Sequence, residues 1–261
     1  IMLDIQFLSG GNIEELNIIQ ECTIKLNKDM NEKLLKKVHQ KCIDIGCKNI
    51  TTSNYLFTPN NFKDWKKYTL KSCQILKSLK KDNSFTILGC LPSFYNIEED
   101  GEINQQFADF YYDLIEIMDN YVDKYIIELA CCSLQLIKVL NILFEKTKKG
   151  IFISINPKGR INRKHIQFLC NMGYSQIETI LVNSSNFDEM KSYYSKNIKT
   201  VNYWKFSFGF YCDNINHDKL EEFILNVKGN KIYLGAWSSF NIKDMKNLVN
   251  LSNNIFLIDK L

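Results

Sequence analysis

Short β-branched runs alternate with longer helical patterns along this chain, and that alternation limits the folds open to it. The strand-like runs lie at residues 2–11 (MLDIQFLSGG), 48–55, 85–92, 123–130, 150–157, 177–184, 200–208 and 231–237. Helical patterns follow them at 31–46, 61–81, 104–121, 133–147, 162–173, 186–196, 217–229 and 241–252. In the first helical pattern Leu34, Leu35, Val38, Cys42 and Ile45 recur at helical spacing, and Gly46 supplies a stop. Strands that alternate with helices of this length imply βαβ crossovers and a parallel sheet. Eight such units in 261 residues fit one (β/α)8 TIM barrel, a single domain over residues 1–261. An open doubly wound sheet usually needs fewer strands, and no G-x-G-x-x-G follows the first one.

In such barrels function collects at the C-terminal ends of the strands. The ends expected here are Ser9 to Gly11, Ser53 to Tyr55, Cys90 to Pro92, Glu128 to Cys132, Asn156-Pro157, Asn183-Ser184, Ser207 to Gly209 and Gly235 to Ser238. Glu128 closes the apolar run KYIIEL, and a buried carboxylate there needs a cation or donors. A ligand ammonium group and a structural ion pair both meet that need. Gly10 and Gly11 would let a ligand approach the backbone. Asn54, Tyr55 and Asn183 offer hydrogen-bonding groups at the same rim, although Asn also serves in caps and turns.

Cys131 and Cys132, with Cys90 and Cys212, raise the possibility of a metal site. Adjacent residues on a strand point to opposite faces, however, and free cysteine is often simply buried. His39 lies inside the first helix, while His165 and His217 open later ones, so no histidine base sits at a strand end. No Ser-His-Asp pattern, phosphate loop or H-E-x-x-H occurs.

Composition excludes several classes. At 45% hydrophobic and 24% charged the chain can bury a large core. Its net charge of +4 comes from lysines placed at helix ends and on polar helix faces, which predicts no nucleic-acid partner. The longest apolar run is interrupted by Lys138 and Asn141, which predicts no membrane span. Nine cysteines without framework spacing, and no leader-like pattern, predict a reducing, cytoplasmic setting.

Residues 29–62, DMNEKLLKKVHQKCIDIGCKNITTSNYLFTPNNF, resemble the homocysteine S-methyltransferase family without a gap, through His39, Gly46, ITTSNY and Phe62. Weaker correspondences follow in order. FLSGGNIEEL stands at the family's Asp-Gly-Gly strand end, IIELACC at its Phe-Glu-Thr, LVNSSNFDEM at its Asn-Cys segment, and YLGAWSSFNIKDM at its Gly-Gly-Cys-Cys. The resemblance implies that Gly10, Gly11, Asn54, Tyr55, Glu128 and Asn183 form an amino-acid pocket, with Glu128 matching the glutamate that contacts the amino acid. It also implies methyl transfer to the homocysteine thiol, a step in methionine synthesis.

In that family three cysteines bind a catalytic zinc that holds the homocysteine sulfur as a thiolate. The metal matters because a free thiol, of pKa about 8.5, is only a few per cent ionised at neutral pH. Here the three positions read Ser184, Trp237 and Ser238, and Ser9 replaces the aspartate of the first strand end. Serine is a poor zinc ligand and an indole offers no lone pair. The expectation is therefore a pseudoenzyme with no zinc and no catalytic residue. It would serve as a structural or regulatory component, as a homo-oligomer or within a larger assembly, with a small amino acid as possible ligand. The alternatives are an active methyltransferase with a rearranged site that uses other cysteines, and an amino-acid sensor.

Overall fold

Alternation along each strand sets the architecture. In this structure, a computed structural model, residues 4–9, 32–93, 105–171, 175–184, 186–199, 207–212, 217–225 and 231–235 are described. Eight strands lie among them: β1 (Asp4–Ser9), β2 (Asn49–Thr51), β3 (Thr86–Pro92), β4 (Lys124–Ala130), β5 (Ile151–Ile155), β6 (Ile177–Ser184), β7 (Ser207–Cys212) and β8 (Lys231–Gly235). They pair in chain order, every pair is parallel, and β8 closes on β1.

Helices stand between consecutive strands: α1 (Glu32–Asp44), α2 (Trp65–Leu79), α3 (Gln105–Met118), α4 (Ser133–Lys146), α5 (Arg163–Asn171), α6 (Phe187–Tyr193) and α7 (His217–Leu225). The expected helix at 241–252 lies outside the described residues. Among the described residues no helix is long and apolar enough to cross a membrane.

Both faces of the sheet are buried, which is why runs such as Ile151–Ile155 carry apolar residues on both faces, with Ser154 the one polar member. One face meets the helices: Ile87, Ile127, Ile153, Ile180, Val182 and Ile232 share one apolar cluster with helix residues such as Leu114 and Met118 of α3, Leu143 of α4, Leu169 of α5 and Ile224 of α7. The other face fills the barrel with Leu88, Ile126, Phe152, Leu181 and Tyr233. Phe152 and Tyr233 meet edge to face there, their ring centroids 4.9 Å apart. Gly209 of β7 makes this layer possible. A Cβ there would come within 2.4 Å of Leu181 and 2.6 Å of Tyr233, too close for any side chain.

That glycine accounts for one correction to the sequence reading. The described seventh strand is Ser207–Cys212, so it does not end at Ser207 to Gly209 and Gly209 lies inside it, while residues 200–206 of the expected run lie outside the described residues. A glycine that reads as a strand terminus is instead a close approach of neighbouring side chains. Gly46, by contrast, does end its helix, with φ +97°.

Two local irregularities shape the C-terminal rim. The β4–β5 register shifts between Ile127 and Ala130, and Leu129 sits there at φ +54°. A leucine in the left-handed region costs roughly 1 kcal/mol or more, so the surroundings must hold it. Ser93 Oγ and Cys131 Sγ both donate to its carbonyl at 3.0 Å. After α6 the chain widens into a π-turn over Tyr194–Ile198. Asn197 on that turn accepts a hydrogen bond from Arg163 N at 3.0 Å and so caps α5.

Candidate functional site

The layer one step above the apolar plug is polar. Two residues on from Leu88, Ile126, Phe152 and Leu181 come Cys90, Glu128, Ser154 and Asn183, which the pleat turns to the same interior face. All four are buried. Asn183 Nδ2 donates to Ser154 Oγ at 3.2 Å. Glu128 Oε1 and Asn183 Oδ1 are enclosed and have no partner.

Burial pushes Glu128 up to about 7, and the Ser154 hydroxyl opposes that rise. Cys90 beside it is driven well above the ordinary thiol range, by burial first and by the Glu128 charge second. The layer therefore offers acceptors and one ionisable carboxyl to whatever enters from the mouth.

The rim over β2 and β3 is built differently. Cys90 N donates to Thr52 Oγ1 (2.9 Å), Thr52 Oγ1 donates to Asn54 Oδ1 (2.6 Å), and Asn54 Nδ2 donates back to Cys90 O (2.9 Å). This closed circuit fastens the end of β2 to β3, so the Asn54 side chain has a structural role. Tyr55 is half-buried beside it. Ser53 N donates to Ser72 Oγ at 2.9 Å, and Ser53 Oγ lies 3.4 Å from His39 Nε2. His39 is enclosed by α1 and β2, and burial lowers it to about 4, which keeps it neutral. The stretch ITTSNY thus uses Thr52, Ser53 and Asn54 to lock one corner of the barrel. The two-residue spacing of Thr52 and Asn54 was the signal for it.

Ser184, at the position of a zinc cysteine in the resembled family, faces outward as a helix cap. Its hydroxyl donates to a Glu189 carboxylate oxygen and accepts from Asn186 N at 3.1 Å, while Asn186 caps α6 by accepting from Glu189 N at 3.1 Å. A hydroxyl held in that way, with Trp237 and Ser238 at the other two positions, does not fit zinc. Among the described residues no three His, Cys, Asp or Glu side chains group as a metal would need. Cys131 and Cys132 follow β4, so strand alternation does not separate them as expected. Both are partly exposed, and burial raises the Cys131 thiol. Gly10, Gly11, Trp237 and Ser238 lie outside the described residues. Ser154 and Leu129 were missed at the sequence level. Ser154 falls within an unremarkable apolar run, and a positive φ at leucine leaves no sequence mark.

A closed ring of parallel strands with a buried acid at its C-terminal mouth defines an α/β barrel. The family model described as homocysteine S-methyltransferase matches residues 8–244, and the chain belongs to that family. The metallated form of the homocysteine methyltransferase MmuM from Escherichia coli is similar in structure. It aligns with TM-score 0.74 at 14% identity, over 95% of this chain and 96% of that one. The apo form of MmuM gives 0.69 at 13%, over 95% and 96%. A GH18 chitinase from Pseudoalteromonas aurantia gives 0.56 at 11%, over 96% and 99%. Identities this low speak to the fold alone. No curated protein matches the chain by sequence.

Proposed function

We propose that this chain is a homocysteine S-methyltransferase-like protein that no longer transfers methyl groups. On this reading it is one (β/α)8 barrel over residues 1–261, cytoplasmic, acting as a structural or regulatory component, alone as a homo-oligomer or within a larger assembly. It binds neither nucleic acid nor membrane. The observation that carries the reading is Ser184. At the position where the family needs a thiolate, this chain has a hydroxyl already bonded to Glu189 and Asn186. Without a group that ionises the homocysteine thiol, that thiol remains mostly protonated at neutral pH and is a weak nucleophile.

A second reading, an amino-acid sensor, is favoured by the unpartnered acceptors Glu128 Oε1 and Asn183 Oδ1. Unsatisfied buried acceptors cost roughly 1–3 kcal/mol each, and a ligand ammonium group would remove that cost. Chemistry and binding are separated by metal analysis of the purified protein together with an assay for methionine formed from homocysteine and S-methylmethionine. We expect no stoichiometric zinc and no methionine. One equivalent of zinc held by cysteine thiolates, with turnover, would overturn the pseudoenzyme reading and establish a rearranged active site.

A further inference from the structure

The turn that ends α1 brings two thiols to one place. Gly46 N donates to Ile43 O and Cys47 N donates to Cys42 O, both at 3.0 Å, with Gly46 left-handed at φ +97°. These bonds make a Schellman cap, in which the residue after the glycine commonly packs on the residue five before it. Here both of those residues are cysteines. Cys42 and Cys47 are 3% and 2% exposed, share one apolar cluster and are free thiols. The covalent lengths on either side of the 3.0 Å bond cannot hold their Cα atoms further apart than about 6.8 Å, the outer limit of what a disulfide spans.

We propose that Cys42 and Cys47 are a modification site: a small-molecule disulfide oxidises them reversibly to a disulfide that closes the cap of α1 covalently. The step is two thiol–disulfide exchanges. One cysteine thiolate attacks a sulfur of the oxidant and expels the first small thiolate, which leaves a mixed disulfide on the protein. The other cysteine thiolate attacks the protein sulfur of that mixed disulfide and expels the second. In total one S–S bond breaks and one forms. The two cysteine protons end on the expelled thiolates, so the protein is oxidised and the oxidant reduced to two thiols.

Burial decides when the exchange occurs. The Cys42 group beside it, and burial, push the Cys47 thiol well above the ordinary range. Only the thiolate attacks, so the reaction waits on opening of the last turn of α1. Once formed, the bond restricts the unfolded chain over residues 42–47 and stabilises the fold. It fastens the segment that leads into β2 and the Thr52–Asn54 corner. In the reducing setting that the sequence predicts, a disulfide of this kind is a transient redox mark and not a framework. None of this depends on the proposed loss of methyl transfer.

The test incubates full-length protein with glutathione disulfide, alkylates the remaining thiols in denaturant and weighs the tryptic peptide 42–48, cut after Lys41 and Lys48. That peptide should be unalkylated and two hydrogens lighter than its dithiol form, and dithiothreitol should reverse the change. Oxidation should raise the melting temperature of the wild type by about 5 °C. It should not raise that of Cys42→Ser, in which Cys47 should instead carry glutathione. Gly46→Ala has open space for its methyl group but strains φ, so it should open the cap more often and speed ring closure about fivefold or more. A peptide 42–48 that carries two alkyl groups or two glutathiones after oxidation overturns the proposal. A ring that lowers the melting temperature overturns the stabilising role, and closure of Gly46→Ala at the wild-type rate overturns the gating by the helix end.

Discussion

Two groups of buried polar atoms occupy the same rim of this barrel, and they differ in whether their bonds close. At β2 and β3, Cys90 N, Thr52 Oγ1, Asn54 Oδ1, Asn54 Nδ2 and Cys90 O form a circuit in which each donor has its acceptor. At β4 to β6 the bond from Asn183 Nδ2 to Ser154 Oγ leaves Asn183 Oδ1 and Glu128 Oε1 open. Closed networks of this kind rigidify a fold, while a half-satisfied one is destabilising unless something completes it. The first group is therefore structural, and the second is the one that the proposed sensor reading fills with a ligand. Leu129 agrees with that division. The left-handed residue lies beside the open group, in the strand that carries Glu128, and backbone strain tends to collect at functional sites.

The largest test of the contrast falls on the closed group. Asn54→Leu keeps the volume roughly constant but leaves the Thr52 hydroxyl proton without its acceptor and Cys90 O without that donor. Two such losses should cost roughly 4 kcal/mol in denaturant unfolding, since each buried unsatisfied group costs about 1–3 kcal/mol. If Asn54→Leu unfolds within about 1 kcal/mol of wild type, the circuit does not hold the rim and the contrast fails.

On the open group the sign reverses. The folded protein holds Glu128 at about 7 against an ordinary 4.5, so the fold prefers the protonated acid. Stability is then full below about pH 4.5, falls as the pH rises through that interval, and levels off above about 7. Glu128→Gln removes the titrating group, and its advantage should grow from near zero at pH 4.5 to about 3 kcal/mol at pH 8. Unfolding midpoints across that range measure it. An advantage that does not vary with pH, or one that is largest in acid, would mean that Glu128 has a partner in the folded protein.

How much of this was legible in the sequence divides along the same line. Periodicity places seven of the eight helices and seven of the eight strands, because burial on both faces imposes long apolar runs and glycine stops. Register is less visible. Gly209 marks crowding between Leu181 and Tyr233 and was read as a strand end. Glu128 and Asn183 stand out as polar residues ending apolar runs, but the bond from Asn183 to Ser154 depends on strand stagger, which no single strand encodes. Asn54 shows the converse, since a binding residue and a structural staple have the same letter.

The smallest effect is expected at Ser184, and it bears on the proposed loss of methyl transfer. The hydroxyl accepts from Asn186 N and donates to Glu189, so it belongs to the cap of α6. Ser184→Ala should cost about 1 kcal/mol, the usual worth of a lost cap. Ser184→Cys restores the family's thiol at this position but substitutes a weak donor and acceptor for a good one. It should lose a similar amount of stability and acquire no zinc, because Trp237 and Ser238 supply no second or third thiolate. If Ser184→Cys instead bound zinc stoichiometrically, other thiols must reach the mouth. The open group would then stand beside a latent metal site, and it would no longer be a binding pocket separated from chemistry.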